Sequence, residues 1–190
     1  DKAHTPQYWH KVIGEINNTV QKTDKKIPVI YGIDAIHGAT YTAGASLFPQ
    51  SIAMAAARNT ELMKKCAEIT AMETRASGIP WNFNPVLGMG RNPLWPRLWE
   101  TFGEDTYLAK TLGRIYVEQM QGDDVSADNR VAACAKHYLG YSVPHTGKDR
   151  TPALIPIREL RETFLPSFAE AIDAGALTVM VNSTEINGEP

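Results

Sequence analysis

The chain has 190 residues, 43% of them hydrophobic and 21% charged, so it can bury a real core as one domain or as a large piece of one. Its formal net charge is −2, with no Lys/Arg run and no basic stripe interleaved with aromatics, which excludes the electrostatic footprint of a nucleic-acid binder. No apolar run is long enough to span a bilayer, Asp1-Lys2-Ala3-His4 is not a signal peptide, and two cysteines make no disulfide scaffold; Cys66 and Cys134 are expected to be buried thiols.

Along the chain, Thr5-Pro6 reads as the cap and first turn of a helix with Trp9, Ile13, Ile16 and Val20 on one face. A first apolar run, residues 28–31, reads as a strand. Asn59 can cap a helix carrying Leu62, Cys66 and Ile69, which ends near Gly78. The run 79–83 is a second strand, more mixed in character. Asp105 caps a helix with Leu108, Leu112 and Ile115 inward and Gly122 past its end. The run 131–135 is a third strand. A helix from about Arg158 to Ala174 turns Leu160, Phe164, Phe168 and Ala171 inward, with Pro166 breaking or kinking it and Gly175 at its stop. Residues 177–181 form a fourth strand. The first, third and fourth runs are nearly continuously apolar, as expected of strands covered on both faces.

The resulting order is α, then β-α-β-α-β-α-β, the alternation of a parallel sheet with crossover helices. Two of the three helix-to-strand connections are very short, while those from strand to helix (32–58, 84–104 and 137–157) are all long. Long loops in a compact domain are uncommon unless functional. All three leave the C-terminal ends of strands, where parallel α/β folds place their sites. A full (β/α)8 barrel takes roughly 250 residues. Four strands therefore fit either an open α/β domain or part of a barrel.

The first long loop brings Asp34, which either accepts hydrogen bonds from ligand hydroxyls or caps a turn. The second, residues 84–100, is dense in Pro, Gly, Trp and Arg. Arg forks and Trp faces suit a sugar, with its hydroxyls and flat C–H face, but buried Trp can equally pin a loop. The third strand ends in Lys136-His137, a pair costly to bury without partners. Past it, Gly147 to Thr151 form a polar stretch near the same rim. The histidines lack metal-ligand spacing, Gly88-Met89-Gly90 lacks the third glycine of a nucleotide loop, and there is no G-x-S-x-G elbow.

At these residues the sequence resembles glycoside hydrolase family 3, the β-glucosidases and exo-β-glucanases. Tyr31 to Gly38 looks like the family's Y-G-x-D-A-x-H-G, Arg91 to Arg97 like R-D-P-R-W-G-R, and Glu100 to Asp105 like E-x-F-G-E-D. Val131 to Tyr138 is similar to V-A-A-C-x-K-H-[FY], and Thr178 to Ser183 with Asn187-Gly188 to V-M-x-S-Y…N-G. Asn92, Leu94 and Pro96 depart from the usual Asp, Arg and Gly, and Ser183 stands where many members have Tyr. Tyr138 to Ser142 lacks the P-G-H-G of the N-acetylglucosaminidase branch.

The resemblance implies a partial (β/α)8, TIM-like barrel of about four parallel strands, with residues 1–190 forming part of the family's N-terminal domain. It implies that Asp34, Arg97, Lys136 and His137 bind the hydroxyls of a non-reducing glucosyl residue in the −1 subsite, with a β-glucoside or β-glucan oligosaccharide as partner and neither metal nor cofactor. The family's retaining hydrolysis needs two carboxyl groups about 5 Å apart. Its nucleophile is an Asp in a G-F-x-x-S-D-W segment, expected downstream of Pro190, and its acid/base usually comes from a following domain. No catalytic carboxylate is therefore expected in this chain, and the 190 residues alone are expected to be inactive. Family resemblance further implies a periplasmic or secreted location. A non-catalytic carbohydrate-binding or interaction module using the same rim, and an unrelated open α/β enzyme, remain the alternative readings.

Overall fold

The computed structural model describes residues 3–190. Helix α1 (Pro6–Val20) begins where the Thr5 hydroxyl accepts the amide of Tyr8 at 3.2 Å, with Pro6 in the first turn, where its missing N–H costs nothing. Only Ile13 of its expected stripe is fully buried. Strand β1 is Gly32–Ile33, which falls after the apolar run that reads as a strand. Residues 28–30 lie in an exposed segment instead. A short helix, α2 (Ser51–Ala56), interrupts the long loop that follows.

Helix α3 (Thr60–Ala76) is capped by Asn59, whose side chain accepts the Leu62 amide at 3.0 Å. Its buried face is Met63, Ala67, Thr70, Ala71 and Thr74, rotated one residue from the expected stripe, so that Leu62 is exposed and Cys66 half-buried. Strand β2 (Trp81–Asn82) leads into the second long loop, which contains a 3-10 turn at Leu98–Glu100. Helix α4 (Thr106–Gln121) is capped by Asp105, which accepts the Leu108 amide at 2.7 Å, and ends at Gly122 with a positive φ of 58°. It packs between α3 and the last helix.

Strand β3 (Ala132–Tyr138) runs through the core. After the third long loop, α5 (Ile157–Glu159) widens into a π turn at Leu160–Phe164 and resumes as α6 (Leu165–Asp173), with Pro166 in its first turn. The proline ring would collide with the carbonyl four residues back in a regular helix, and the wider turn relieves this. Strand β4 (Thr178–Val181) is the last strand of the described residues.

The four strands are parallel and hydrogen-bonded in the order β1-β2-β3-β4, the sequential winding of part of a (β/α)8 barrel. Gln121 laces the N-terminal ends together: its amide donates to Gly175 O at 2.8 Å, and its oxygen accepts the amides of Ala133 and Leu177, each at 3.1 Å. The expectation of burial on both faces holds for β3. It fails for β4, where Leu177, Val179 and Val181 are exposed, because no helix or strand of the described residues covers that face.

Candidate functional site

The three long loops meet at the C-terminal ends of the strands. Gly32 in β1 is placed by a close approach: a Cβ there would lie 2.4 Å from the Phe83 ring and 2.8 Å from the Trp81 ring. Two residues later Asp34 emerges at the rim. Across from it, β3 delivers Lys136, whose Nζ donates to Asp34 Oδ1. The Lys136 side chain is 1% exposed and that of Asp34 is 47% exposed, so the ammonium is buried while its partner faces solvent. Burial pulls the Lys136 pKa below the ordinary lysine value, and the Asp34 charge opposes that fall.

His137 follows directly and is also buried. Burial, reinforced by the charges of Arg97, Lys136 and Arg150, pushes its pKa down to about 3, so the ring is neutral and offers one donor and one acceptor. The Lys136–His137 and Tyr138–Leu139 peptides are cis.

From the second loop, Arg97 forms a fork on Glu100, with Nε to Oε1 at 2.8 Å and Nη2 to Oε2 at 2.7 Å. Burial works against the guanidinium, but the Glu100 pairing outweighs it and the Arg97 pKa rises. The Arg97 guanidinium sits over the Tyr141 ring, 5.7 Å from its centroid. The same ring meets His137 edge-on at 4.8 Å.

Asp34, Arg97, Lys136 and His137 thus line one cavity of about 390 Å³, together with Phe83, Tyr141, Arg150, Met180, Val181 and Ser183. A cavity of this size accommodates a small ligand such as a monosaccharide, with charged and polar groups and the rings of Phe83 and Tyr141 in its lining. A larger space of about 490 Å³ at Gln119, Gln121, Gly122 and Arg130 lies at the opposite end of the strands and gathers none of these residues. The carboxylates near the candidate site are already engaged: Asp34 by Lys136, Glu100 by Arg97, and Asp149 by Tyr141 and Trp95.

Trp95 is buried and pins its loop, which is the structural of its two readings. Asn92 does likewise, donating to Pro144 O at 2.9 Å and accepting the Leu94 amide at 3.0 Å. Sequence reasoning did not single out Phe83, Glu100, Tyr141 or Met180. Asp149 lies within the polar stretch Gly147 to Thr151, but nothing in the sequence pairs it with Tyr141.

The sequence matches the description "Glycosyl hydrolase family 3 N terminal domain" over residues 2–190. It is 51% identical to the lysosomal beta glucosidase of Dictyostelium discoideum over 96% of this chain and 23% of that protein. It is 29% identical to the periplasmic beta-glucosidase of Salmonella typhimurium over 94% of this chain and 24% of that protein. Among solved structures, an exo-1,3/1,4-beta-glucanase from a Pseudoalteromonas species superposes with a TM-score of 0.89 at 34% identity, covering 99% of this chain and 24% of that one. A Listeria innocua beta-glucosidase in complex with glucose superposes with a TM-score of 0.87 at 31% identity, covering 94% and 24%. The chain spans about a quarter of the length of these relatives.

Proposed function

The chain belongs to glycosyl hydrolase family 3, as part of its N-terminal domain, and from that premise we propose that it supplies the sugar-gripping part of a β-glucosidase-type site. In this reading Asp34, Arg97, Lys136 and His137 bind the hydroxyls of a terminal β-D-glucosyl residue. The longer protein cleaves that residue from β-glucosides or β-glucans with retention. The observation that carries the reading is convergence: two loops and the C-terminal end of strand β3 bring a buried ammonium, a forked guanidinium, a neutral imidazole and an accessible carboxylate to one cavity.

The cutting step needs two carboxyl groups about 5 Å apart, one of them free to attack. Asp34 is tied to a buried lysine and suits hydroxyl binding better. We place the nucleophile on a further strand of the barrel and the acid/base on a following domain. Relatives with lysosomal and periplasmic names favour an extracytoplasmic location, and no helix of the described residues is long and apolar enough to cross a membrane.

Saturation-transfer NMR on the 190-residue chain tests the reading. Methyl β-glucoside is expected to receive saturation and methyl β-galactoside far less, and aryl β-glucosides are expected to remain intact. Equal saturation of both sugars would remove the glucosyl assignment. Turnover abolished by Asp34→Asn would instead make Asp34 the nucleophile.

A further inference from the structure

The sugar-binding groups rest on a layer of buried side chains. Tyr141 and Trp95 are 2% and 1% exposed, and their rings meet edge-to-face at 5.2 Å. Both donate to a single oxygen of Asp149: the Tyr141 hydroxyl to Oδ1 at 2.6 Å and the Trp95 indole Nε1 to Oδ1 at 3.0 Å. Asp149 belongs to the loop after β3, as does Tyr141, whereas Trp95 belongs to the loop after β2. The carboxylate therefore ties the loop that follows His137 to the loop that carries Arg97. Its other oxygen lies 3.8 Å from Arg150 Nε, at the mouth of the cavity.

We propose that Asp149 is a positioning residue: by fixing the Tyr141 ring it holds Arg97 above that ring and His137 against its edge, in the geometry the sugar cavity requires. Binding of a sugar by this cavity rests on the function proposed above, but the positioning itself does not. A hydrogen bond to a charged acceptor is stronger than one between neutral groups, and two such bonds on one oxygen fix the planes of both rings. Hydroxyl and indole donors left without that oxygen would be buried and unpaired, so the Tyr141 ring has a strong reason to stay where it is. A second tether joins the same region without passing through Tyr141: Arg91 Nη1 pairs with Glu159 Oε1 at 2.6 Å, with both side chains about 40% exposed. It serves as the control for mere loop anchoring.

The test uses the full chain and the variants Asp149→Ala, Asp149→Asn, Tyr141→Phe and Glu159→Gln. Ring resonances of His137 and the indole proton of Trp95 are followed by NMR, and glucose affinity by calorimetry. Asp149→Ala is expected to move both sets of resonances and to weaken glucose by about tenfold or more. Asp149→Asn keeps an acceptor oxygen and is expected to restore part of each signal. Glu159→Gln is expected to leave His137 and the affinity unchanged. If Asp149→Ala does not fold, Tyr141→Phe decides, because it keeps the ring and removes only the hydroxyl; it is expected to shift His137 in the same direction. Unmoved His137 resonances in a folded Asp149→Ala, or in Tyr141→Phe when the alanine variant is unfolded, would overturn the proposal. Absence of glucose binding by the unaltered chain would instead overturn the functional reading, with the NMR shifts still deciding the role of Asp149.

Discussion

At the scale of single residues, the Lys136–Asp34 pair is asymmetric, and the asymmetry has consequences. Lys136 has a buried side chain at the cavity wall, while Asp34 faces solvent. Removing the aspartate leaves an uncompensated buried ammonium, and Asp34→Asn is expected to destabilise the chain by about 3 kcal/mol in urea melts. Removing the lysine leaves an aspartate that water can solvate, so Lys136→Met is expected to be neutral or stabilising. Equal losses in the two variants would show that burial is not what distinguishes the partners. His137 titrates at about 3 in the folded chain and near 6.5 when unfolded. Between those values the unfolded state binds the extra proton, so this residue's contribution to stability is intact above about pH 6.5 and is lost as pH falls towards 3. Urea melts of His137→Gln between pH 6.5 and 4 are expected to show a shallower decline than the unaltered chain, by up to a few kcal/mol at the acid end. Glucose affinity is expected to show no inflection from His137 between pH 5 and 8. Parallel declines in the two proteins would contradict the neutral imidazole.

At the scale of elements, caps and stops were legible in the sequence because they rest on local chemistry. Asn59 and Asp105 accept the amides of Leu62 and Leu108 as their spacing implies, and Gly122 adopts the positive φ that ends α4. Asp105→Ala is expected to cost about 1 kcal/mol, read as a lower urea midpoint at unchanged slope. Packing was less legible. The buried face of α3 is Met63 with the smaller Ala67, Thr70, Ala71 and Thr74, whereas hydrophobicity favours the larger Leu62 and Ile69. The apolar run before β1 was misleading for a similar reason. Pairing begins at Gly32, where the absence of a side chain admits the Trp81 and Phe83 rings, and no property of residues 28–31 reports on those distant partners. Loop lengths alone indicate only a polar rim at the strand ends; it is the resemblance of the motifs that singles out Asp34, Arg97, Lys136 and His137, and the structure brings these four to one cavity. Tyr141 and Asp149 were not, since their roles depend on Trp95 from another loop.

At the scale of the whole molecule, four parallel strands carry a loop-built cavity at one end, while the outer edges of β1 and β4 have no partner strand among the described residues. Open edges flanked by exposed Val179 and Val181 invite pairing between chains. The 190-residue chain is therefore expected to self-associate with rising concentration in light scattering, and Val181→Lys to reduce that association. A monodisperse monomer at all concentrations would mean that the edge is covered in solution. The central claim is that the cavity grips a glucosyl unit through its buried lysine. Calorimetric titration of the chain with glucose tests it most directly, alongside Lys136→Met as a folded comparison. Saturable binding that disappears in Lys136→Met, with its melting temperature preserved, is the expected result; undiminished binding in that variant would contradict the claim.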